Sequence, residues 1–132
     1  MPKKKSESPL PTILVADDDP EILKMVQAAL RPVAARLITA NDGEQALSAF
    51  LVERPQLVVL DVMMPKLSGW EVVRYIREHE AGREVKVLML TAIGEALNAA
   101  TSPVMGADDS LDKPFNFEEL ASRVRALLGL GR

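Results

Sequence analysis

The sequence predicts an α/β fold, a doubly wound five-stranded parallel sheet with helices on both faces. Three observations carry this. Short apolar runs recur, with Ile13–Ala16, Leu57–Leu60 and Val85–Leu90 (one lysine inside) the clearest. A strand that is apolar at every position is buried on both faces, as in parallel sheets. Amphipathic helical stretches alternate with these runs, which is the pattern of βα units joined by right-handed crossovers. Finally, each run leads into a residue able to bind metal or phosphate: Asp17-Asp18-Asp19, Asp61, Thr91, and Lys113 after the weaker run Ser110-Leu111-Asp112. In open parallel sheets, ligands bind outside the carboxyl ends of the strands.

The elements follow in order. Strand 1 is Thr12–Ala16. Helix 1 is Pro20–Leu30, with Asp19 as N-cap and Pro20 at the first helical position. Strand 2 is Ala35–Thr39 and helix 2 is Gly43–Glu53, where Asp42 and Gln45 have capping-box spacing. Strand 3 is Leu57–Leu60. Helix 3 is Gly69–Glu80, opened by Ser68 and Glu71 in the same spacing. Strand 4 is Val85–Leu90 and helix 4 lies within Glu95–Met105. Pro103 removes a backbone hydrogen bond there, at about 3 kcal/mol, so this helix is expected to be short, kinked or split, and the most mobile of the domain. Strand 5 is a short piece around Asp109–Leu111. Helix 5 is Phe117–Leu128, with Asn116 and Glu119 again spaced as a cap.

At 132 residues the chain is read as one domain over 12–129 behind a polar tail over 1–11. The tail holds Lys3-Lys4-Lys5 and reads as solvated and mobile rather than as a contact patch. It lacks the apolar segment of a signal peptide, and no stretch approaches the roughly 20 apolar residues of a membrane span, so a cytoplasmic location is expected. The formal net charge of −3 argues against general affinity for nucleic acid. The absence of cysteine excludes disulfides and thiolate metal sites. The sequence given stops at Gly131-Arg132, soon after helix 5, and no output domain is expected to follow.

The chemistry of the strand ends can be read directly. Asp17, Asp18 and Asp61 in one place repel one another, and a divalent cation relieves that repulsion. All the ligands on offer are hard oxygens, so Mg²⁺ is the natural ion. With Lys113 and the cation present the three carboxylates are neutralised, leaving room for one phosphoryl group. Asp61 is the candidate nucleophile, since a carboxylate can attack phosphorus to form an acyl phosphate. Mg²⁺, the Lys113 ammonium and the Thr91 hydroxyl would each hold one phosphoryl oxygen.

These residues sit in text that resembles the receiver domain of two-component response regulators: ILVADDDPEI at 13–22, NDGEQAL at 41–47, PQLVVLDVMMPKLSGWEVVRYIR at 55–77, VLMLTA at 87–92 and GADDSLDKPFNFEEL at 106–120. The resemblance spans Thr12 to Leu128. It implies a flavodoxin-like (βα)5 fold with sheet order 2-1-3-4-5 and a cis Lys113-Pro114 bond. It implies that Asp61 is the phosphoacceptor, that Asp17 and Asp18 form the acidic metal pocket, and that the backbone carbonyl of Met63 completes it. Thr91 and Lys113 occupy the remaining site positions. The implied partners are a sensor histidine kinase or histidine phosphotransfer protein as donor and a downstream protein. That protein would read the helix 4–strand 5–helix 5 surface of a stand-alone monomer or weak dimer. Such a domain assists its own phosphorylation and slow dephosphorylation but is not a turnover enzyme.

The chain departs from that pattern at Ser110, where the family carries Tyr or Phe. In the family that ring swings inward as the Thr hydroxyl moves onto the phosphoryl group, and a serine cannot do this. Six other residues receive structural readings. His79 reads as a solvated helix residue, Trp70 as packing, Met63 and Met64 as loop packing, and Asp108-Asp109 as a polar approach to strand 5. Three rivals remain for comparison. An Asp-nucleophile phosphohydrolase wants a second acid two residues after the nucleophile, where Met63 stands. A flavodoxin wants Ser, Thr and Gly after strand 1, where three aspartates would repel phosphate. A phosphorylation-independent pseudo-receiver interaction module keeps the fold and is supported only by Ser110 and Pro103.

Overall fold

The computed structural model describes residues 10–79, 82–91 and 106–130. The expected helix 4 with Pro103, and the Lys3-Lys4-Lys5 tail, lie outside the described residues. Within them the order is β1 (Thr12–Ala16), α1 (Pro20–Leu30), β2 (Arg36–Ala40), α2 (Gly43–Glu53), β3 (Leu57–Asp61), α3 (Gly69–Glu78), β4 (Lys86–Thr91) and β5 (Asp109–Asp112). The last helix described, α4 here (Phe117–Leu128), is the fifth helical stretch of the sequence. The strands form one parallel sheet in the order β2-β1-β3-β4-β5.

Alternation along the strands explains the continuous apolar runs. Ile13, Val15, Leu57, Val59, Leu88 and Leu90 meet Leu23, Val26 and Leu30 of α1 and Leu120 and Val124 of α4. Their neighbours Leu14, Val58, Leu60, Val87 and Met89 face the other way, against Phe50 of α2 and Val72, Val73 and Ile76 of α3. β1, β3 and β4 therefore each serve two cores, and a polar residue within them would be buried on either face.

The caps hold with two adjustments. Asp19 accepts from the Glu21 N–H ahead of Pro20, and Ser68 with Glu71 forms a complete reciprocal box. Asp42 accepts from Gln45, but the Gln45 side chain reaches the Asn41 N–H, one residue before the cap. Asn116 accepts from Glu118 and Glu119, while the Glu119 carboxylate turns to Arg123 at 3.1 Å. Replacing Ser68 by Ala removes one half of the complete box. The expected cost is about 1 kcal/mol, read as a lower urea midpoint with an unchanged denaturant slope.

Several boundaries differ from expectation, the strand ends for one physical reason and the end of α3 for another. β3, β4 and β5 each run one residue further, to Asp61, Thr91 and Asp112, because the ladder pairs Asp61 with Leu90 and Thr91 with Asp112. The same register logic moves β2 to Arg36–Ala40, opposite Thr12–Ala16, and starts β4 at Lys86. α3 stops at Glu78 rather than Glu80. His79 is extended there, and Arg77 gathers the carbonyls of Gly82 and Val85 at 2.8 and 2.6 Å, pulling the chain back over the helix end.

Candidate phosphoacceptor site

The sheet order reverses between β1 and β3: β2 lies on one side of β1, and β4 and β5 lie beyond β3. The crevice outside the carboxyl ends of these two central strands is where such folds bind ligands. Asp17 and Asp18 follow β1 directly and Asp61 ends β3. One carboxylate oxygen from each can be chosen so that all three lie within 4.8 Å of one another, and among the described residues this group alone could share a metal ion. The donor set fits a hard divalent cation: three carboxylates, with no sulfur or imidazole among them.

Asp17 is 1% exposed and Asp61 5%, whereas Asp18 is open to solvent. The Asp17 Oδ1 accepts from the Asp19 N–H at 2.9 Å, and the Asp17 N–H donates to the Ala40 carbonyl of β2 at 3.2 Å. Lys113 follows β5 directly, and its bond to Pro114 is cis. Its Nζ donates to Asp61 Oδ1 at 2.8 Å and to Asp17 Oδ2 at 3.3 Å.

Burial dominates the electrostatics. It pushes the Asp17 carboxyl up to about 6, with the Asp61 charge adding, while the Asp19 N–H and Lys113 pull the other way. Asp61 is also raised, by burial first and by the charge of Asp18, against the opposing pull of Lys113 and the Met63 N–H. Burial alone would lower the Lys113 ammonium, but the hydrogen bond to Asp61 and the Asp17 charge outweigh it and hold the group above its usual range. One ammonium thus stabilises the anionic forms without fully offsetting the desolvation of two carboxylates.

The loop after Asp61 is tightly folded. The Leu67 N–H donates to the Pro65 carbonyl at 2.8 Å across Lys66, whose φ is 74°. A lysine in this left-handed turn is strained. Gly69 then brings α3 against the Asp61 carbonyl and the Met89 side chain, where a Cβ would collide. Met64 is buried, but Met63 is 65% exposed, so its side chain does not pack as expected. The loop turns it outward while its N–H serves Asp61.

The other sequence-selected residues divide. Thr91 ends β4, fully buried, and its hydroxyl donates to Asp112 Oδ1 at 3.0 Å rather than to the acidic trio. Ser110 on β5 pairs with Met89 of β4 and lines an open polar cleft of about 320 Å³ with Asp112, Glu119 and Arg123. Asp108 binds Arg77 and the Val87 N–H, and Asp109 binds Arg123. His79 is exposed, edge-on to Phe50, and Trp70 packs half-buried on the α3 side. Asp112 is the residue that sequence reasoning passed over. Its contact with Thr91 depends on the β4–β5 register, and the only signal was its place directly before Lys113.

Comparison with known proteins agrees with this fold. A family model for the response regulator receiver domain matches residues 13–125. The alkaline phosphatase synthesis transcriptional regulatory protein PhoP of Bacillus subtilis is 42% identical over 116 residues, covering 88% of this chain and 48% of that protein. The chain spans about half the length of the curated relatives it matches. The receiver domain of the Francisella response regulator 1452 superposes with a TM-score of 0.82 at 31% identity, covering 91% of this chain and 98% of that one. The chemotaxis response regulator CheY4 of Vibrio cholerae gives 0.83 at 29% identity, covering 90% and 99%.

Proposed function

The chain belongs to the response regulator receiver domain family, and from that premise we propose that it accepts a phosphoryl group on Asp61 from a phosphohistidine donor, a sensor histidine kinase or a histidine phosphotransfer protein, in the cytoplasm. The observation that carries this is the Lys113 ammonium, which pins the Asp61 carboxylate at 2.8 Å beside Asp17 at the switch point of the sheet. A carboxylate oxygen of Asp61 attacks phosphorus, the donor's N–P bond breaks, and the imidazole leaves with the bonding pair. Lys113 then holds the acceptor and a phosphoryl oxygen, and the Thr91 hydroxyl is the donor available to another. Asp17, Asp18, Asp61 and the Met63 backbone carbonyl would hold Mg²⁺, which neutralises the crowded carboxylates and the charge of the phosphoryl group.

The known length of the relatives bears on output. PhoP is named as a transcriptional regulatory protein, and the matched segment covers 48% of it. Output through the surface around β5 and α4 to a protein partner is the proposed consequence of phosphorylation.

The test is incubation with acetyl phosphate, with and without Mg²⁺, followed by Phos-tag electrophoresis. A shifted band that requires Mg²⁺ is expected. No shift in either condition sinks the acceptor reading and leaves an interaction module that works without phosphorylation. The lifetime of the product is a further expectation. Loss of an acyl phosphate needs a water in line with phosphorus. The exposed thioether of Met63, beside that path, is only a weak acceptor for such a water. Met63→Asn should shorten the phosphorylated half-life several-fold, measured as band decay after acetyl phosphate is removed. Ile93, the second position expected beside the path, lies outside the described residues.

A further inference from the structure

We propose that Asp112 is a positioning residue that holds the Thr91 hydroxyl in the resting protein, so that phosphoryl uptake must break the Thr91–Asp112 hydrogen bond; the inference rests on the acceptor reading above. Thr91 and Asp112 are register partners across β4 and β5, with side chains on one face of the sheet. The Thr91 side chain is fully buried and its Oγ1 lies 3.0 Å from Asp112 Oδ1. The Lys113 N–H donates to the Thr91 carbonyl at 2.6 Å, which keeps the two strand ends in register.

A hydroxyl has one proton to donate. Asp112 and a phosphoryl oxygen therefore compete for it, and it cannot serve both. The restraint is releasable on two grounds. At 3.0 Å the contact is long for a hydroxyl on a carboxylate, where about 2.5–2.7 Å is usual. Asp112 is also exposed, so a carboxylate that loses the hydroxyl regains water instead of being stranded. Release leaves Asp112 with its full hydrogen-bonding capacity in the polar cleft it lines with Ser110, Glu119 and Arg123. The surface of β5 can then report phosphorylation without an aromatic ring at position 110.

The experiment compares the wild type with Asp112→Ala and Asp112→Asn, each also in a Thr91→Val background. The readout is the phosphorylated fraction at steady state in acetyl phosphate and Mg²⁺, with urea midpoints taken to verify folding. Asp112→Ala should raise the ratio of phosphorylated to free protein about tenfold, the size of one charge-assisted hydrogen bond. Asp112→Asn should raise it less, because its amide oxygen still accepts the hydroxyl. In the Thr91→Val background both changes should be silent. Equal ratios for wild type and Asp112→Ala overturn the proposal. So does a gain that persists with Thr91→Val, because that would come from removing charge alone. Failure of the wild type and every variant to take up phosphate would instead overturn the acceptor reading, and this inference with it.

Discussion

Asp61→Asn is expected to take up no phosphoryl group and, in metal-free buffer at neutral pH, to unfold at a higher urea concentration than the wild type. The loss of uptake is complete because an amide cannot replace a carboxylate as nucleophile. The gain in stability follows from burial. Asp61 is 5% exposed, and its carboxyl is raised by desolvation and by the Asp18 charge. A raised carboxyl is one whose charged form the fold disfavours, so a neutral residue of the same shape relieves the protein. Lys113 still finds an oxygen at that position, although its bond loses charge assistance. Phos-tag gels and urea melts on the same preparations separate the two effects. Uptake by the variant at the wild-type rate would place the acceptor elsewhere. A lower midpoint would mean that the Lys113–Asp61 pair outweighs the desolvation of the carboxylate.

This opposition between function and stability was partly legible in the sequence. Asp17-Asp18 and Asp61 stand directly behind runs that read as buried parallel strands, and the sheet order implied by the family resemblance brings those strand ends together. Their depth was not legible. Nothing in the letters distinguishes Asp17 at 1% exposure from Asp18, which is open to solvent. The fold was readable where one residue type has one use, as with proline after an aspartate cap or an unbroken apolar run. It was less readable where a polar residue continues a strand, and Asp61, Thr91 and Asp112 all do so. The contact between Thr91 and Asp112 needs a register between strands joined by a long crossover, and a local pattern does not hold that information. Arg77, which ends α3 early, is equally opaque, since its partners Gly82, Val85, Gly106 and Asp108 come from later in the chain.

The pH dependence of the metal-free protein gives the second large effect. Asp17 goes from 3.8 in the unfolded chain to about 6 in the fold, by burial first and the Asp61 charge after it. A raised carboxyl means that the folded state holds its proton more tightly than the unfolded state does. Stability from this group is therefore full below 3.8 and is lost as pH rises through about 6. The gap corresponds to about 3 kcal/mol. With a chelator present, the wild type should lose stability of that order between about pH 4 and pH 7 relative to Asp17→Asn, which has no such proton to lose. At neutral pH, Mg²⁺ at about a hundred times its dissociation constant should return about 2.7 kcal/mol to the wild type, and much less to the variant. Urea melts across that range, with chelator and then with Mg²⁺, decide the matter. Parallel curves for wild type and Asp17→Asn would show that Lys113 already satisfies Asp17, and that the acidic cluster is an ordinary buried ion pair rather than a pocket strained toward a cation.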